Sequence, residues 1–276
     1  MRRMGWRIIP VLLAVLFAGW QWFGADTFIN PETGDKARVG LSTEQEEQLG
    51  IESYREILSQ SSVARSGPEL DLVLRVAKRL AAATGEAGRE YEWQATLIES
   101  DQVNAFCLPG GKIAVYTGIL PVAKDEAGLA VVMGHEMAHA IARHGAQRIL
   151  QQQSMNTLLT GAQFSLGGMD YETQRAVMGA LGAGAQYGVS LPFSRDHETE
   201  ADTMGLMYSA RAGYDPRVAP AFWQRMAQAS GGRGQPPEFA STHPSHDTRI
   251  ANLEAQMPRA LAEYEKHARA PLGGTR

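Results

Sequence analysis

The stretch "VVMGHEMAHAIARHG", residues 131–145, limits what this chain can become more than any other. His135 and His139 are four residues apart and share one face of a helix, with Glu136 beside the first. Val131, Val132, Met133, Ala138, Ala140 and Ile141 surround them with apolar or small side chains, so the helix belongs inside a core. Buried imidazoles and carboxylates need partners. A metal ion on the two imidazoles supplies one, and a glutamate after the first ligand stands where hydrolysis needs a general base. The fold therefore has to build a polar centre around an apolar helix.

Cys107 is the only cysteine, which excludes an intrachain disulfide and a cysteine-based zinc site. Any metal is left to His, Asp and Glu. His144 lies roughly 180° around the helix from His135 at about 100° per residue, so it is not the third ligand and suits a surface or outer-layer role. The metzincin continuation is also missing, because Ala142 and Gly145 stand where that motif has glycine and histidine. A glutamate from another helix is then the favoured third ligand. "SRDHETEADTMG", residues 194–205, offers one. Glu198 and Asp202 share a helical face, whereas Glu200 points about 200° away from Glu198. Glu198 is read as the ligand and Asp202 as the acceptor of a ligating imidazole's N–H. The plainer reading of these residues is an acidic helix start in water.

With 276 residues, 44% of them hydrophobic, the chain can bury a substantial core. Its net charge of −4 and the lack of a basic stripe interleaved with aromatics argue against nucleic-acid binding. Residues 1–25 read as a signal peptide or membrane anchor: Arg2, Arg3 and Arg7 precede an apolar run from Ile8 to Phe23. Trp20 and Trp22 favour the uncleaved anchor, which places the body in the cell envelope on the non-cytoplasmic side. Residues 26–41 read as a polar linker, 42–256 as the catalytic domain and 257–276 as a frayed tail. Within the domain, helices are expected after Ser42 and Pro68, then two or three short strands around a Pro109-Gly110-Gly111 turn. From Asp125 onward the pattern is helical, with a bend near Gly145, a division at Gly213 and Pro216, a loop over 231–234 and a short last helix. The fold class is α+β, mainly α: a helical domain with a small β-sheet beside the active-site helix.

"HEMAH", "SRDHETEAD", "NAFCLPGGKIAVYTGIL" and "THPSHDTRIANL" occur in the order that resembles the HtpX/BepA-like zinc metallopeptidases, relatives of the CAAX prenyl protease and of OMA-type peptidases. The resemblance covers roughly residues 40–256. It implies a zincin-like fold of gluzincin type and one Zn2+ per chain, held by His135, His139 and Glu198, with Glu136 as catalytic base and Asp202 behind the ligands. It also implies that Asn104, Gly110 and Gly111 belong to a strand hairpin that binds extended substrate by strand addition. His243 matches a histidine that in some members approaches the zinc from a loop and closes it. His246 could do the same or stabilise the oxyanion, while Arg249 reads as a packing residue.

The expected activity is a zinc endopeptidase acting on unfolded or misassembled proteins in envelope quality control. The alternative is an envelope chaperone or assembly factor whose protease activity is restrained or secondary.

Overall fold

A computed structural model describes residues 2–230, Phe239, His243 and 248–268. His246, the 231–234 loop and the end of the expected tail lie outside the described residues. The chain divides into two compact units, one of Met1–Asn30, Gly34–Thr43 and His144–Asp196, the other of Pro31–Thr33, Glu44–Arg143 and His197–Arg276.

The first unit opens with helix α1 (Arg2–Gly24), followed by strands β1 (Asp26–Ile29) and β2 (Lys36–Val39). β1 and β2 pair antiparallel from Asp26 opposite Val39 to Ile29 opposite Lys36, so a hairpin stands where a linker was expected. Arg38 Nη1 donates to the Ala25 carbonyl at 2.7 Å, which ties β2 back to the end of α1. α1 lies against α6 (His144–Ser165), where a side chain on Gly161 would collide with Ala14. Helix α7 (Tyr171–Ala185) buries none of its residues. No helix among the described residues is long and apolar enough to cross a membrane.

The second unit holds α2 (Thr43–Ser59), α3 (Pro68–Ala83), β3 (Gln94–Ile98), β4 (Ala105–Leu108), β5 (Lys112–Tyr116), the single turn α4 (Leu120–Ala123) and α5 (Glu126–Ile141). The sheet order is β3-β5-β4, with β5 parallel to β3 and antiparallel to β4. Ile113, Ala114 and Val115 are fully buried because β5 is covered on both faces. The β4–β5 turn runs through Gly110 and Gly111 at φ of 77° and 81°, a left-handed pair that glycine adopts without strain. α3 shows the expected stripe, burying Val73, Val76, Ala77 and Leu80.

α5 starts where the Asp125 side chain accepts the Gly128 N–H at 2.8 Å. Its apolar sequence leaves it buried all round, as the pattern requires. The expected bend near Gly145 falls two residues earlier, at Arg143, whose φ of 55° breaks the helix. That conformation costs energy in a residue with a side chain. It is held by a buried ion pair, Arg143 Nε to Glu46 Oε2 at 2.6 Å, which binds the end of α5 to α2.

Helices α8 (Leu191–Arg211), α9 (Val218–Ser230) and α10 (Arg249–Ala268) follow among the described residues. α8 crosses α5 backbone to backbone. A Cβ on Gly205 would lie 2.7 Å from His135 N, and one on Gly134 would lie 3.0 Å from the Gly205 carbonyl oxygen. Only two glycines at the crossing let the helices approach so closely. α10 is not the short helix expected. It continues through Pro258 to Ala268, because Leu253 and Ala260 keep its apolar face buried.

Candidate metal centre

The close α5–α8 crossing brings two chemistries together. α5 presents His135 and His139 one turn apart, and α8 presents Glu198 and, a turn later, Asp202. His135 Nε2 lies 3.1 Å from His139 Nε2 and 3.3 Å from Glu198 Oε2. His139 Nε2 is 3.4 Å from Glu198 Oε1. His243 adds its Nδ1, 3.3 Å from His135 Nε2 and 3.1 Å from Glu198 Oε1. Donors set 2.0–2.1 Å from one tetrahedral zinc ion stand roughly 3.3–3.4 Å apart. The distances among His135, His139, Glu198 and His243 given above, 3.1–3.4 Å, are near that spacing, and the donor set is one that zinc takes.

Electrostatics inside the cluster are strongly coupled. Burial is the largest influence on His135 and opposes its positive charge, yet the Asp202 and Glu198 carboxylates outweigh it and carry the imidazole up to about 9. Burial also works against the Glu198 carboxylate, but hydrogen bonds from His135, His139 and His243 hold it far below the usual range. So many donor atoms this close together in a dry site make a deficit of positive charge that a divalent ion fills.

Glu136 differs from its neighbours. Burial pushes its carboxyl up, with His243 and His135 pulling against that. Its Oε1 is buried with no hydrogen-bond partner among the described residues, and His243 Nε2 stands 3.5 Å away. A carboxylate oxygen in a core rarely stays unpartnered without a job.

Comparison with known proteins agrees with this geometry. Residues 71–257 match peptidase family M48. The chain belongs to that family. It is 36% identical over 230 residues to the mitochondrial metalloendopeptidase OMA1 of Schizosaccharomyces pombe, covering 82% of this chain and 65% of that protein. The mitochondrial metalloendopeptidase OMA1 of Danio rerio is 31% identical over 288 residues, covering 94% and 60%. The beta-barrel assembly-enhancing protease of Yersinia pestis is 29% identical over 225 residues, covering 80% and 46%. The chain therefore spans less than two thirds of the length of these relatives. The expected family, an HtpX/BepA/OMA-like metallopeptidase, is borne out.

The expected location is not. Relatives at 36% and 31% identity are named as mitochondrial proteins, which overturns the assignment to the non-cytoplasmic side of a cell envelope. The expectation rested on arginines placed before an apolar run, a pattern that does not by itself name the compartment.

Other expected residues divide in this M48 chain. Asp202 Oδ1 lies 2.9 Å from His135 Nδ1, on the imidazole edge away from the cluster. Asn104 precedes β4, and its Oδ1 accepts the Ala105 N–H at 2.9 Å. Gly110 and Gly111 form the β4–β5 turn, packed under Glu47 and Trp93. His144 opens α6 and is buried at 2% exposure, which sets aside the surface half of the expected surface or outer-layer role. It is also not among the clustered donors.

β4 is the sheet edge beside α5. Tyr116 N–H donates to the Asn104 carbonyl at 3.1 Å, so alternation along the ladder turns the main-chain groups of Ala105 and Cys107 outward. Asn104 already occupies the Ala105 N–H.

Sequence reasoning undervalued Arg249 and missed Trp223. Arg249 is 4% exposed, and Trp223, at 4%, lies with its ring centroid 5.0 Å from that of His135. The only signal was an arginine near the His243 segment, too ordinary to single out.

Proposed function

We propose that this M48 protein is a zinc-dependent endopeptidase acting on unfolded or misassembled proteins, in protein quality control, with His243 restraining it at rest. The observation that carries the reading is one constellation: four donor residues with ligand atoms within 4.8 Å of one another, beside a buried carboxylate with an unpartnered oxygen.

In this reading His135, His139 and Glu198 hold the ion, and Asp202 fixes the His135 ring. Zinc, when bound, supplies a Lewis acid that polarises a carbonyl and acidifies water. Glu136 Oε1 takes the proton from the attacking water and returns it to the leaving amine. Burial suits it to that exchange by raising its proton affinity. The substrate adds to the sheet beside β4, bonding to Cys107 N–H and C=O, a mode open to any extended chain and so to unfolded proteins. His243 fills the fourth position of the donor set, and Phe239 stacks on its ring at 4.4 Å between centroids.

The deciding experiment is digestion of casein by the full chain, with and without a chelator, beside Glu136→Gln. Removing the base should lower kcat by about 10²–10⁴-fold while zinc content is unchanged. Full activity in Glu136→Gln, or cleavage insensitive to chelator, would sink the reading.

A second reading, an assembly factor with secondary proteolysis, draws on the seated His243 and on the name of the Yersinia pestis relative. It predicts that Glu136→Gln suppresses aggregation of an unfolded client as well as the unaltered chain does.

A further inference from the structure

Arg249, the first residue of α10, reaches into the cluster from behind. Its Nε donates to Asp202 Oδ2 at 2.6 Å and its Nη2 to Glu198 Oε2 at 2.6 Å. The guanidinium lies 4.0 Å from the Trp223 ring centroid. Burying an arginine costs several kcal/mol unless each charge is met. Here two carboxylates and an aromatic face meet it, an expensive arrangement to keep for packing alone.

The two oxygens of Glu198 are not equivalent. Both face the ligand nitrogens, Oε1 at 3.1 Å from His243 Nδ1 and 3.4 Å from His139 Nε2, Oε2 at 3.3 Å from His135 Nε2 and from His243 Nδ1, but Oε2 also carries the short charge-assisted bond from Arg249. A carboxylate oxygen that holds an arginine at 2.6 Å is a poorer donor to a metal than its free twin. Asp202 is divided the same way, with Oδ2 on Arg249 and Oδ1 2.9 Å from His135 Nδ1. One planar fork therefore fixes two ligands at once, Glu198 directly and His135 through Asp202. Lysine, a single point charge, lacks the fork.

We propose that Arg249 is a positioning residue of the metal centre. It reserves Glu198 Oε2, makes Glu198 a one-oxygen ligand through Oε1, and so keeps the coordination number at four. Arg249 also offsets one of the three negative charges of Glu136, Glu198 and Asp202, which with a divalent ion leaves the assembled site neutral. This inference rests on the zinc reading above.

The test loads the full chain with Co(II) in place of zinc and compares it with Arg249→Lys and Arg249→Gln. Visible absorption reports the coordination number, chelator competition reports affinity, and casein turnover gives kcat and KM. In both variants the intense four-coordinate cobalt band should weaken as Oε2 joins the metal. Metal affinity or kcat should fall about 10–100-fold, the usual effect of losing a ligand's supporting partner, with KM unchanged. Circular dichroism and melting establish that the variants are folded. Should both fail to fold, Arg249→Ala supplemented with methylguanidinium takes their place, and return of the wild-type cobalt band supports the proposal, while a band that stays altered overturns it. Folded variants with the wild-type band and kcat and only a lower Tm would reduce Arg249 to an anchor for α10, leaving the zinc reading intact. An unaltered chain that binds no cobalt would instead overturn the metal centre, and this proposal with it.

Discussion

Single atoms at this site carry separable jobs. His243 is the clearest case, because its Nδ1 completes the donor set while its Nε2 lies 3.5 Å from Glu136. If it restrains the enzyme, His243→Ala should raise basal casein cleavage roughly 10-fold, as expected when a mostly closed state is opened. It should also weaken zinc binding in chelator competition. Unchanged cleavage and affinity together would end the idea of closure. The pair His135/His139 was legible from the sequence because two imidazoles at i, i+4 on an apolar helix are costly to bury unless they share an ion. Glu198 was legible once Glu200 had been turned away by helical geometry. Arg249 was not, because nothing local distinguishes a buried arginine from an exposed one; its partners are 47 and 51 residues away.

Between elements, the centre depends on how closely α5 and α8 approach. Ala at position 205 would place its Cβ 2.9 Å from the Gly134 carbonyl carbon and 2.7 Å from His135 N, against backbone that has no rotamer to change. Gly205→Ala should therefore cost about 3 kcal/mol, the upper end for overpacking, and should weaken metal binding as α8 is pushed outward. Gly145, also helical, meets nothing within 4 Å, so Gly145→Ala should stabilise by about 0.5–1 kcal/mol. Thermal melts of the two variants check both directions, and equal effects would discredit the crossing argument. Hydrophobic period located α3 and the buried α5, and the Pro-Gly-Gly signal located the β4–β5 turn. The end of α5 escaped because Arg143 takes a left-handed conformation supported by its ion pair with Glu46, 97 residues away. The length of α10 escaped because proline inside it reads as a stop until the buried Leu253 and Ala260 are seen.

For the molecule as a whole, metal and proton compete at His135. With zinc stripped by a chelator, the imidazole titrates at about 9 instead of its ordinary 6.5. A raised histidine value contributes stability that is complete below about pH 6.5 and is lost as pH rises through about 9. The stripped chain should therefore melt at a lower temperature at pH 9.5 than at pH 6.5 as far as this group decides. Zinc reverses the trend. Loading must expel the His135 proton, so affinity should strengthen about tenfold per pH unit up to that value. Calorimetric melts with and without zinc across this range read both slopes, and parallel slopes would contradict the exchange. The N-terminal hairpin of β1 and β2 was missed at this scale, since "NPETGDKARVG" is as polar as a linker and four-residue strands leave little pattern.

The Asn104 side chain over the Ala105 N–H has a consequence for how this protein keeps company. A bare sheet edge invites any passing strand, including one from a second copy, and such pairing spreads into aggregates. By covering one donor on a four-residue edge, Asn104 leaves Cys107 as the one residue there that offers both halves of a pairing among the described residues. The edge therefore offers a guest strand a single short register, which limits how firmly a second copy can pair there.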